Sequence, residues 1–233
     1  MPSAVLIDGG FFLKRFSLCY PSRNPKDPSI VAKTAFELAL SHLDDKDYNN
    51  GKKRELYRIF FYDCAPMAKK AHQPVSRRAI DFSKTEQYIF RRKLHTRLRC
   101  QRKLALRLGM LSDHSSWGLR PAALKQVLAK ERQFDHLQDA DFFYDVRQKG
   151  VDMRIGLDIA SIVFKKQADQ IVLVSGDSDF VPAAKLARRE GIDFVLDPMW
   201  STINEDLNEH VDGIRSTCPR PGSISSLDAS SRS

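Results

Sequence analysis

The chain has 233 residues, 42% of them hydrophobic and 29% charged, enough for one enlarged domain with a substantial core and too well mixed for wholesale disorder. Its cysteines, Cys19, Cys64, Cys100 and Cys218, show neither C-x-x-C pairing nor a Cys/His spacing suited to zinc, and no apolar run reaches the roughly 18 residues that span a bilayer. Free thiols, a cytoplasmic setting without a leader segment, no membrane partner and, from the net charge of +9, an anionic partner are therefore expected.

Ala4-Val5-Leu6-Ile7 is a short continuous apolar run stopped by Asp8-Gly9-Gly10, the pattern of a strand buried on both faces and followed by a tight turn. Helical periodicity runs from Ile30 to Leu43, and a second strand-like run, Arg58 to Tyr62, stops at Asp63. Helical patterns then cover about Thr85 to Leu108 and Pro121 to Arg132. The stretch from about 64 to 146 is too long for a simple connection and is read as a basic helical insertion on the sheet's rim. A helix from Val151 to Lys166, a strand from Ile171 to Val174 stopped by Ser175-Gly176-Asp177, a helix from Pro182 to Glu190 and a strand from Ile192 to Leu196 complete the pattern. Strands alternating with helices imply an α/β fold, a Rossmann-like parallel sheet flanked by helices. Residues 1–215 are read as one domain, and 216–233, rich in Ser, Pro and Arg, as a disordered tail.

In such a sheet ligands bind outside the carboxyl ends of the strands. Three strand-like runs end there in an acid, at Asp8, Asp63 and Asp177, with Asp179 two residues on. Carboxylates that close raise one another's pKa, and Mg²⁺ or Mn²⁺, which prefers oxygen ligands, relieves the repulsion. Each acid also has a plainer role open to it. Asp8 suits a turn before Gly9-Gly10, Asp179 a helix N-cap before Pro182, Asp152 a cap, and Asp63 a strand-end turn. Asp158 lies among Ile155, Leu157, Ile159 and Ile162 and needs a metal or a basic partner if buried. Six residues place it about 120° around a helix from Asp152.

These residues resemble the bacterial NYN domain proteins, a branch of the PIN-like nuclease superfamily. The matching features are Val5-Leu6-Ile7-Asp8-Gly9-Gly10, then Lys149-Gly150-Val151-Asp152 with Asp158 beyond, and above all Val172 to Phe180 with its Ser175-Gly176-Asp177-Ser178-Asp179 core. The resemblance implies a PIN-like sheet and a metal-dependent ribonuclease, with Asp8, Asp158, Asp177 and Asp179 holding Mg²⁺ or Mn²⁺ and an activated water cutting RNA. Asp152 matches a recurrent position of unassigned role. Where the family often has Asn after the first glycine motif, this chain has Gly10-Phe11.

From Cys64 to Met110 there are 13 Lys or Arg against two acids, Asp81 and Glu86. Arg91, Arg92, Lys93, Arg97, Arg99, Arg102, Lys103 and Arg107 crowd one expected helix, whose apolar stripe is Phe90, Leu94, Leu98, Ala105 and Leu108. Such a face suits the backbone of RNA, with DNA left open, or simply solvates a docked helix. Tyr88 and Trp117 suit base stacking or ordinary packing, and His72, His95 and His114 share no ligand spacing. The function expected is a metal-dependent endoribonuclease, and the alternative is a catalytically silent RNA-binding NYN protein. A phosphatase using a phospho-aspartate lacks its nucleophile motif.

Overall fold

A computed structural model describes residues 2–44 and 53–222, with backbone only at 112–115 and 147–148. Strand β1 (Pro2–Asp8) runs into α1 (Gly9–Cys19), followed by α2 (Pro28–Ser41), β2 (Glu55–Cys64), a hairpin of β3 (Lys70–His72) and β4 (Ala79–Asp81), α3 (Glu86–Arg99) and β5 (Leu104–Leu119). Then come α4 (Pro121–Leu128), β6 (Phe142–Lys149), α5 (Val151–Phe164), β7 (Gln170–Val174), α6 (Val181–Arg189), β8 (Asp193–Asp197), α7 (Glu205–Glu209) and β9 (Gly213–Ile214). The main sheet has the order β6-β5-β2-β1-β7-β8-β9. The strands from β5 to β9 pair in parallel, and β6 is antiparallel to β5.

Both faces are covered, as the unbroken apolar runs demand. Ala4, Leu6, Phe60 and Tyr62 face α5 and α6, while Val5, Ile7, Ile59 and Phe61 face α1, α2 and α3. The order reverses at β1, which sends the chain to β2 and β5 on one side and meets β7 and β8 on the other. That reversal opens a crevice at the carboxyl ends of β1 and β7.

All four expected strands form, and the differences lie between them. No tight turn follows β1: Asp8 caps α1 directly, and a side chain at Gly9 would strike the Tyr62 carbonyl and the Phe61 ring. The helix expected to reach Leu108 ends at Arg99, and Leu104 to Gly109 pair with Ile59 to Cys64 as β5. Arg102, Lys103 and Arg107 are therefore not on the helix. The break contains neither Gly nor Pro; Lys103 makes it with φ +61. Thus α3 and the first part of β5 belong to the main sheet unit, and what projects from the rim is the β3–β4 hairpin, α4 and the outer β5–β6 ribbon.

Of the expected tail, residues 223–233 lie outside the described residues. Residues 216–222 pack back on the fold: Cys218 is buried against the α1 face, and its carbonyl accepts from the Trp200 indole at 2.8 Å. Among the described residues no helix is long and apolar enough to cross a membrane.

Candidate functional site

Asp8 ends β1, and its carboxylate accepts the Phe11 amide at 3.0 Å as the cap of α1. Asp177 follows β7 and accepts the Asp179 amide at 3.0 Å, capping a single turn, Ser178–Phe180, ahead of α6. Asp177 is thus the cap, and the exposed Asp179 carboxylate accepts no hydrogen bond among the described residues. The two loops touch: a Cβ on Gly176 would lie 3.0 Å from the Phe11 ring. Phe11 is a packing bridge between them.

Because β6 returns the chain to the carboxyl edge, α5 starts there. Gly150, at φ +77, is its N-cap, so Asp152 is not a cap but a free acid in the first turn. Burial raises the pKa of Asp8, and the charge of Asp152 raises it further. Burial likewise raises Asp152, with the charges of Asp177 and Asp179 adding to it. Asp8, Asp152, Asp177 and Asp179 therefore share one patch of negative charge at the carboxyl edge, relieved in part at Asp8 by Lys14. The donors are carboxylate oxygens, which suit hard divalent cations. Among the described residues, no three His, Cys, Asp or Glu side chains stand at the spacing that encloses a metal.

The structure does not bring Asp158 into this patch. It lies about 9 Å farther along α5, where its carboxylate accepts from the buried Tyr62 hydroxyl at 2.8 Å and from Arg107 Nε at 3.1 Å. Arg107 also lies over the Phe60 ring. The basic partner that an acid in an apolar helix requires is thus Arg107, delivered by β5. Asp63 has its own partners as well: it is buried between Arg91 and His95 of α3, with His95 Nε2 at 2.7 Å. Burial would raise its pKa, but the His95 hydrogen bond and the Arg91 charge outweigh that and hold it below the usual range.

These pairings divide the basic residues. Arg91 and Arg107 are committed to Asp63 and Asp158, and Lys103 donates to the Leu56 carbonyl. Arg92, Lys93, Arg97, Arg99 and Arg102 are exposed. Yet α3 descends from the carboxyl edge for about 20 Å, which leaves Arg97, Arg99 and Arg102 toward the opposite edge from the acids. Arg92 and Lys93, next to Arg91, stay nearer the carboxyl edge, and other basic residues near that edge were counted in the local excess but not singled out. They are Lys70, Arg77, Arg78 and Lys84, exposed on and beside the β3–β4 hairpin. The hairpin is pinned by Trp117 Nε1 donating to the His72 carbonyl at 2.9 Å, and by Asp139 accepting the Val75 and Ser76 amides.

An acidic patch at the switch point of a mostly parallel sheet flanked by helices is the arrangement of an α/β, PIN-like fold. The chain belongs to the NYN domain family, whose model matches residues 92–213, more than half of its length, and with it to the PIN-like nuclease superfamily. The match includes Asp152, Asp158, Asp177 and Asp179 and begins beyond Asp8. No curated protein matches the chain. Among solved structures, a protein of unknown function from Vibrio parahaemolyticus RIMD 2210633 is similar at 14% identity, with a TM-score of 0.45, over 93% of this chain and 92% of that one.

Proposed function

We propose that the protein is a metal-dependent ribonuclease whose carboxylates are Asp8, Asp152, Asp177 and Asp179. The observation that carries this reading is the electrostatic coupling of four acids at the carboxyl edge, where burial holds up two of them, with the charge of Asp152 acting on Asp8 and those of Asp177 and Asp179 on Asp152. Asp8 and Asp177 also cap their helices, but Asp152 and Asp179 lack the basic partners that the fold gives Asp63 and Asp158. A bound Mg²⁺ or Mn²⁺ would supply Lewis acidity at the scissile phosphate and lower the pKa of a bound water, making hydroxide available as the nucleophile. Mg²⁺ commonly binds through one or two carboxylates and keeps several waters, so an open patch of acids suits it without a closed cage.

The residues themselves do the positioning. Asp8 and Asp177 are fixed by their cap hydrogen bonds, Asp152 and Asp179 present free oxygens beside them, and Phe11 holds the two loops in contact. Asp158, locked by Tyr62 and Arg107, sets the height of α5 against the sheet and so the place of Asp152. RNA comes to the carboxyl edge through the exposed cations of the β3–β4 hairpin.

The test is cleavage of end-labelled RNA with Mg²⁺ or Mn²⁺, with EDTA, and by Asp177→Asn after its fold is checked by circular dichroism. Turnover should need the metal and fall to background in the variant. Cleavage that survives both EDTA and the substitution would sink the reading. One observation favours a silent RNA-binding protein instead: Asp158, a metal ligand by family resemblance, is neutralised by Arg107. On that reading RNA binds in a salt-sensitive way, Asp177→Asn changes nothing, and no turnover is seen with either metal.

A further inference from the structure

A cavity of about 690 Å³ opens between the β3–β4 hairpin, the first turn of α3 and the outer β5–β6 ribbon. That is within the usual size of small-ligand sites. The ribbon carries the cavity past the carboxyl edge: β5 leaves the parallel sheet at Gly109, opposite Cys64, and continues to Leu119 with only β6 beside it. Phe82, Trp117 and Tyr144 form an aromatic wall, with Tyr144 5.0 Å from Phe82 and 5.1 Å from Trp117 between ring centroids. Tyr88 lines it from α3. The Gln73 and Gln87 amides also line it, and among the described residues neither side chain has a hydrogen-bond partner.

Three features narrow the occupant. Aromatic rings inclined to one another by 35° to 84°, beside unused amide donors and acceptors, suit a planar ring with a polar edge held against one face or edge of them. Arg91 and Arg120 line the cavity against a single acid, Asp139, and Lys69 lies over the Tyr144 ring at 5.7 Å, a net positive lining that suits an anion attached to that ring and argues against a neutral apolar ligand. The cavity also adjoins the acids. Cys64 lines it, and this thiol is pushed up to about 11 by burial and Asp63, with Asp152 also contributing. A chain with a ring in the cavity and a phosphodiester over Asp152 spans the two places at once.

We propose that the cavity holds one unstacked nucleobase of a single-stranded RNA whose backbone crosses the acidic patch, with Tyr88 and the aromatic wall stacking on the base and Gln73 and Gln87 reading its edge. The proposal rests on the nuclease reading for its substrate class, and it adds a base-selecting site.

Trp117 and Trp200 are the only tryptophans, so a Trp200→Phe background makes Trp117 the reporter. Short homopolymeric oligoribonucleotides, titrated in EDTA, should quench it saturably, with one base type preferred. Tyr88→Ala should weaken that binding by about 5- to 100-fold, the range of one lost base stack, and Gln87→Ala should flatten the preference among bases. Equal binding of all homopolymers together with indifference to Tyr88→Ala overturns the proposal, as does displacement of the oligomers by base-free polyphosphate. Mononucleotides that bind as tightly as oligomers overturn the strand assignment. If base preference holds but no RNA is cleaved, the nuclease reading fails and the cavity stands. If metal-dependent cleavage is indifferent to Tyr88→Ala and Gln87→Ala, the cavity proposal fails and the nuclease reading stands.

Discussion

Asp152 and Asp158 lie on one helix and have opposite surroundings, so they separate function from stability. Asp158 meets a hydroxyl and a guanidinium; Asp152 meets Asp8, Asp177 and Asp179. Asp8 and Asp152 hold protons more tightly folded than unfolded, so their stabilising contribution is full below the ordinary carboxylate value of 3.8 and is lost as pH rises through their raised folded values. Above those raised values both are charged and repel. Asp152→Asn should therefore raise Tm at pH 7 in EDTA by about 1–2 °C, a small effect because water screens an exposed acid. The gain should vanish near pH 3, and a Tm unchanged or lowered at pH 7 would show the patch to be relaxed without metal. Mg²⁺ or Mn²⁺ should raise the Tm of the wild type and of Asp158→Asn but not that of Asp152→Asn. Thermal scans with and without metal would refute this if Asp158→Asn lost the rise and Asp152→Asn kept it.

At the scale of elements, the Arg91–Asp63–His95 cluster fastens α3 to the end of β2. Asp63→Ala leaves a buried cation and imidazole without their acceptor and should cost about 3–5 kcal/mol in urea unfolding; a loss below about 1 kcal/mol would show the cluster to be incidental. Asp63 is lowered, so its contribution is present above 3.8 and is lost as pH falls through the folded value. Strand ends were legible because a buried parallel strand is an apolar run and its last residue is a polar break, which found Asp8, Asp63 and Asp177. What lies past the break was not legible. Whether a strand-end acid faces the crevice or a helix depends on partners distant in sequence, Arg91 for Asp63 and Arg107 for Asp158. Strand β5 was hidden because Leu104 to Leu108 suits either period and Lys103 turns the chain without a Gly or Pro. With β5 hidden, Arg107 seemed to share a helix face with Arg97, and the ribbon that walls the cavity could not be placed.

For the whole molecule, the net charge of +9 matters less than which edge carries it. Cations at the carboxyl edge, on the hairpin, lie where a strand reaching the acids passes; those at the end of α3 lie toward the opposite edge. Both groups raise long-range attraction for an anion, and under the proposed function only the first would form phosphate contacts during turnover. RNA affinity should fall as salt rises, with a log–log slope of about 0.7 per neutralised phosphate on a single strand. Arg77→Glu with Arg78→Glu should flatten that slope by about 1.4, the loss of two contacts, and lower kcat/KM with it. Arg97→Glu with Arg99→Glu makes the same change in net charge at the other edge and should leave the slope nearly as it was. Fluorescence anisotropy over a salt series in EDTA decides the matter. Equal flattening by the two pairs would mean that RNA is held by the general field of the protein, and a larger effect at α3 would move the binding track away from the acidic crevice.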